Sequence, residues 1–149
     1  ATDKPGSQSL RTLMILPGYQ FGWAWYNMDR LIDANVDRAR TYLHFINLMT
    51  SLALADLRLH THAWTRQTAT TFLSKQTLYS QARISMELDA ILNRPGFHLS
   101  AFAGMTKFKD LRKRCIRECE EEFLTRLVDI GPLPFDLLEE RLFTEQFIQ

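Results

Sequence analysis

"VDRARTYLHFINLMTSLALADLRLHTH", residues 36 to 62, is the longest periodic run in the 149-residue chain. Val36, Ala39, Leu43, Ile46, Met49, Ala53, Leu57 and His60 recur at steps of three and four. Side chains at that spacing share one face of an α-helix, so the run predicts a long helix with a wide buried face. Its most apolar part, residues 42 to 57, is interrupted by His44, Asn47, Thr50 and Ser51 and reaches Asp56. That density of polar groups predicts a helix buried in protein and no membrane span.

Helical signals continue on both sides. The stretch "GYQFGWAWYNMDRL" (residues 18 to 31) packs five aromatic rings and two glycines into its first nine residues. Trp23, Tyr26, Leu31 and Ile32 follow helical spacing with Asp29, Arg30 and Asp33 between them, which predicts a helix over 22–34. Thr65 suits the N-cap of a further helix that turns Phe72 and Leu73 inward. Another helix is expected over 78–92, stopped by Pro95 and Gly96. One more starts near Ser100 and continues to Val128, and Pro134 opens a short last helix. Residues 1–17 read as a flexible lead-in followed by a short apolar segment that Pro17 and Gly18 break. The expectation is a single all-α domain over residues 18–149, with five to six helices, one long central helix and no significant sheet.

A chain of this length can bury a core without staples. Its net charge of +1 gives no general pull toward nucleic acid or anionic lipid. The basic run "KFKDLRKRCIR" adjoins "ECEEEF", so the two signs largely cancel. Residues 1–9 are polar and lack the apolar core of a signal peptide, which leaves the compartment open. Cys115 and Cys119 lie four apart on one helix face. A disulfide within one helical turn is geometrically awkward, and two thiols are half of a structural zinc site, so reduced thiols are expected.

Four segments, in order, resemble the C-terminal part of the domain-of-unknown-function 885 family. "FGWAWY" (21–26) is similar to that family's E-G-W-A-L-Y, and "DLRLHTHAWT" (56–65) to D-x-G-L-H-x-x-G-W-T. Pro95, Gly96, Gly104, Leu111 and Arg112 follow a third pattern, and "GPLPFDLLE" (131–139) resembles G-x-L-P-L-x-x-L-E. The resemblance covers roughly residues 18–142 and implies a zinc-metallopeptidase-like protein of the HExxH type. In such a site two His on one helix face hold the metal and the Glu between them activates water.

The departures are specific. No HExxH occurs in the 149 residues. The resemblance implies that the Glu of E-G-W-A-L-Y is the third ligand, and that position is Phe21, which has no lone pair to offer a cation. Arginines of the family pattern fall at Met49 and Leu52, and a Tyr-Lys pair at Ala101 and Phe102. Buried charge needs partners, so apolar replacement suits a catalytic cleft that has filled in.

Phe21 is thus read as a former ligand position, with Trp23, Tyr26, His60 and Arg112 as what remains of the cleft. The aromatic residues of 21–27 are expected in the core, with Gly22 admitting a neighbouring helix, or around an aromatic ligand pocket. His60 would stand near the family's cleft, or else bond to Asp56 one turn earlier. His60 and His62 point about 200° apart within a helix and cannot chelate jointly there. Glu87, Asp89 and the acidic run 118–122 read as solvated faces, and Arg112 as paired with an acid or on the surface.

The function expected is that of a non-catalytic helical domain, an interaction or structural subunit of a larger assembly. It would need no cofactor, and another protein chain would cover an exposed apolar face. Two alternatives are a fragment of a zinc metallopeptidase whose HExxH lies elsewhere, and a small-molecule module with a pocket lined by Trp23, Trp25 and Tyr26.

Overall fold

A computed structural model describes residues 16–33, 39–115 and 120–144 of the chain. Among them are seven helices: α1 (Pro17–Asp33), α2 (Ala39–His60), α3 (Arg66–Gln76), α4 (Gln81–Asn93), α5 (Phe97–Cys115), α6 (Glu120–Ile130) and α7 (Phe135–Thr144). No strand occurs among the described residues.

The all-α class is as expected, but the count exceeds five to six and no single helix is the central one. Helices α1, α2 and α5 have 17, 22 and 19 residues and share that place. The additional helix comes from residues 100–128. The periodic pattern reads as one helix, whereas α5 ends at Cys115 and α6 starts at Glu120. As two helices, Phe123 meets the Tyr26 ring at 6.5 Å and the Leu127 carbonyl accepts a hydrogen bond from the Tyr19 hydroxyl at 3.3 Å. The lead-in read over residues 1–15 lies outside the described residues. Pro17 is the first residue of α1, where its missing N–H costs nothing.

Helices α1 and α5 run side by side in the same direction, since contacts advance together from Gly22 and Gly104 to Tyr26 and Phe108, then Asp29 and Lys109. Their approach requires glycine. A Cβ on Gly104 would stand 1.8 Å from the Gly18 carbonyl oxygen, and one on Gly22 would stand 2.7 Å from the Gly104 Cα. Helix α2 runs antiparallel to both: Phe45 packs on Trp25, and Asp56 reaches the start of α5.

Two apolar clusters result. One joins α1, α5, α6 and α7 around Tyr26, Phe108, Phe123, Leu127 and Leu138. The other joins α2, α3 and α4 around Leu52, Leu59, Leu73, Ile84, Leu88 and Ile91. Burying each such side chain contributes about 1.5–3 kcal/mol, far more than helix propensity supplies.

The expected stops and starts have clear local causes. Thr65 caps α3 by accepting from the Thr68 amide at 3.2 Å, and Ser80 caps α4 by accepting from the Arg83 amide at 3.3 Å. Helix α2 stops at His60, and His62 follows in the left-handed region (φ 56°). The His60 and His62 pair is therefore split by the end of the helix. Cys115 is buried and disulfide-bonded, which corrects the expectation of a reduced thiol, and Cys119 lies outside the described residues. No helix among the described residues is long and apolar enough to cross a membrane.

Candidate functional site

The residues singled out by sequence gather at the two ends of α5. At its N-terminal end stands Asp56, a charged residue with 1% exposure. Its carboxylate accepts from the backbone nitrogens of Gly96 (2.9 Å), His98 (2.9 Å) and Leu99 (3.2 Å). The His98 and Leu99 amides belong to the first turn of α5, whose donors have no partner inside the helix, and Gly96 directly precedes it. An anion there also meets the positive end of the helix dipole. Asp56 is thus an N-cap supplied from another helix, and Gly96 permits it by adopting φ 76°.

His60 leans on the same carboxylate. Its Nδ1 lies 2.9 Å from Asp56 Oδ1 and 2.8 Å from the Asp56 carbonyl oxygen. A neutral ring donating from Nδ1 carries its lone pair on Nε2. His98 lies beside the cap with its Nδ1 buried and without a hydrogen-bond partner. Burial pushes the His98 imidazole below its ordinary pKa, which Glu87 and Asp56 partly offset.

Phe21 adjoins this end. Its ring meets that of Phe97, the first residue of α5, edge-on at 4.6 Å, and it is 39% exposed. The expectation that the aromatic residues of 21–27 lie in the core holds for Tyr26 and for the partly buried Trp23, and not for Phe21. Leu52 and Ala101 are buried, and Met49 and Phe102 pack against the apolar clusters.

The other end of α5 holds Trp23, Tyr26 and Arg112. Trp23 stacks on Tyr26 at 5.6 Å and meets Phe108 edge-on at 5.3 Å. Tyr26 borders an open cleft of about 330 Å³ lined by Asp29, Arg30, Tyr42, Lys109, Arg112 and Lys113. Lys109 donates to Asp29 at 2.8 Å, and Arg30 lies over the Tyr26 ring at 5.8 Å. Burial raises the pKa of the Tyr26 phenol, and the neighbouring Arg112 and Arg30 charges work against that rise. Tyr42 is raised by burial and by its hydrogen bond to Asp29.

The structure therefore joins Trp23, Tyr26 and Arg112 and places Phe21 and His60 around the opposite end. Sequence reasoning missed His98, Lys109 and Tyr42, whose partners lie 42, 80 and 13 positions away. No local spacing signals such contacts. Of the polar residues read as solvated, Asp89 is exposed and pairs with Arg66 at 2.7 Å. Glu87 is only 12% exposed and pairs with Arg83.

An all-helical domain with an interior carboxylate capping a helix from a distance is the class these features define. The chain belongs to the family described as "Bacterial protein of unknown function (DUF885)", whose model matches residues 1–142. No curated protein and no solved structure matches it. The zinc implied by the resemblance does not fit the residues described. The phenyl ring of Phe21 stands where the resemblance implies a ligand, and among the described residues no group of three or more His, Cys, Asp or Glu side chains could hold a metal.

Proposed function

We propose that this chain is a non-catalytic helical member of its family that works by docking against another polypeptide. One observation carries the reading. Phe21, Ala24, Met28 and Leu31 recur at steps of three, four and three along α1 and all are exposed, Met28 at 48% and Leu31 at 66%. Such spacing forms a single apolar seam of the kind a partner helix packs against. The polar residues of the resemblance support the same reading, since Asp56 is engaged in capping α5 and His60 is bonded to Asp56.

A second reading, a zinc-peptidase fragment whose metal helix lies on another segment, is favoured by the Asp56–His60 pair. A carboxylate fixing one ring nitrogen is the arrangement that orients a metal-binding or proton-donating histidine.

Photo-crosslinking residues placed at positions 28 and 31 test the first reading. It expects one and the same protein captured from both positions, and its loss when the other seam position is changed to Lys. Different products from the two positions would refute it. Zinc content of the natively purified protein tests the second, which expects about one zinc per chain.

A further inference from the structure

We propose that the polypeptide docked on α1 is an amphipathic helix carrying an acidic side chain at the Phe21 end of the seam, where the Arg94 guanidinium receives it. The inference rests on the docking reading above and names the chemistry of its partner.

Two ring contacts lead from the seam to that cation. The Phe21 ring meets the Phe97 ring edge-on at 4.6 Å, and the Arg94 guanidinium carbon lies over the Phe97 ring, 5.5 Å from its centre. Phe21 is 39% exposed, and Arg94 is exposed as well. The apolar seam of Phe21, Ala24 and Met28 thus ends, one ring further on, at a positive charge. Held against a ring, a guanidinium still offers N–H groups in pairs to a carboxylate.

Among the described residues no carboxylate pairs with Arg94. The acids around it are committed elsewhere. Glu87 and Asp56, which act on His98 together with Arg94, are engaged by Arg83 and by the amides at the start of α5. Asp89, on the preceding helix, is bonded to Arg66 at 2.7 Å. A carboxylate for Arg94 is therefore one that another molecule brings.

The seam decides what that molecule is. A helix packed along Phe21, Ala24 and Met28 carries apolar residues at steps of three and four, and its next turn beyond Phe21 comes over Phe97 and Arg94. The apolar core of an interface is ringed by polar side chains, and Arg is the cation enriched there. An acid in that turn gains a charge-assisted pair, whereas Lys or Arg in its place meets Arg94 with like charge and is rejected. A single acid at a set place also fixes which way the helix lies along α1.

Photo-crosslinking from position 28 of the full chain tests the inference, with product yields compared at equal protein levels. Arg94→Glu is expected to lower the yield about tenfold, and Arg94→Gln, used if the reversal unfolds the chain, about threefold. Arg94→Lys keeps the charge, and Lys75→Glu changes an exposed cation in a different cleft, on α3. Both are expected to stay within about twofold of the parent. Peptide mapping of the product is expected to return apolar residues at helical spacing with Asp or Glu in the turn that follows. An undiminished yield in Arg94→Glu, an equal loss in Lys75→Glu, a segment without that acid, or a second copy of this chain as the product would overturn the inference and leave docking standing. No common product from positions 28 and 31 would overturn docking and the inference together.

Discussion

Oδ2 of Asp56, near the end of α2, lies 2.9 Å from the backbone nitrogen of His98 in the first turn of α5. This contact, with those to Gly96 and Leu99, ties the two apolar clusters together across 40 or more residues of chain. Removing the carboxylate leaves three amides at the start of α5 without their acceptor. Asp56→Ala is expected to lower unfolding free energy by about 3 kcal/mol, and Asp56→Asn by about half that, since the amide oxygen still accepts. Urea denaturation at neutral pH measures both. A loss below about 1 kcal/mol for Asp56→Ala would show that water replaces the cap.

His98 makes stability depend on pH. Burial holds its pKa below the ordinary 6.5. Above that value both folded and unfolded forms are neutral, and the residue contributes no pH dependence. As pH falls through 6.5 the unfolded chain takes up a proton that folded His98 resists, so stability falls with falling pH. Carboxylates titrate lower, which leaves pH 7.5 to 5.5 to the histidines. His98→Leu is expected to flatten the change in unfolding free energy over that window. An unchanged slope would show that His98 is not its source.

The glycines of α1 and α5 separate close approach from helix propensity. Gly104→Ala sets a Cβ 1.8 Å from the Gly18 carbonyl oxygen, which a backbone atom cannot evade cheaply. About 3 kcal/mol of destabilisation or failure to fold is expected. Gly18→Ala meets its nearest atoms, the Phe135 ring and the Ser100 carbonyl, at 3.4 Å. That is ordinary contact, and the gain of up to about 1 kcal/mol in helix propensity offsets it. Thermal unfolding of the two variants should differ widely. Similar midpoints would mean that the helices slide apart freely.

The same residues show what sequence could and could not reveal. Helix identity was legible from the period of the run over 36–62, but its buried face was misplaced. Leu43 and Leu57 are exposed, and α2 buries Leu52, Ala55, Asp56 and Leu59 instead. Caps such as Thr65 were legible because the bonding partner lies three residues on. The division of residues 100–128 into α5 and α6 was not, since the sequence there keeps helical spacing. The pairing of Asp29 with Lys109 spans 80 positions and depends on glycines that let α1 and α5 meet in parallel. Gly22 signalled a close approach, yet nothing in the sequence named Gly104 as its partner.

Phe21 carries the sharpest test of the functional reading. Its ring is partly exposed and edge-on to Phe97, so Phe21→Glu should cost only about 1 kcal/mol and leave the fold intact. The change places a carboxylate where the family resemblance expects a metal ligand. Among the described residues no further group of ligands converges, and His60 already bonds to Asp56 through Nδ1. Zinc content of Phe21→Glu is therefore expected to stay far below one per chain. A variant that takes up stoichiometric zinc would mean that the remaining ligands are in place and that Phe21 alone had closed the site. The zinc-peptidase reading would then displace the docking one, and Nε2 of His60 would be the first group to examine.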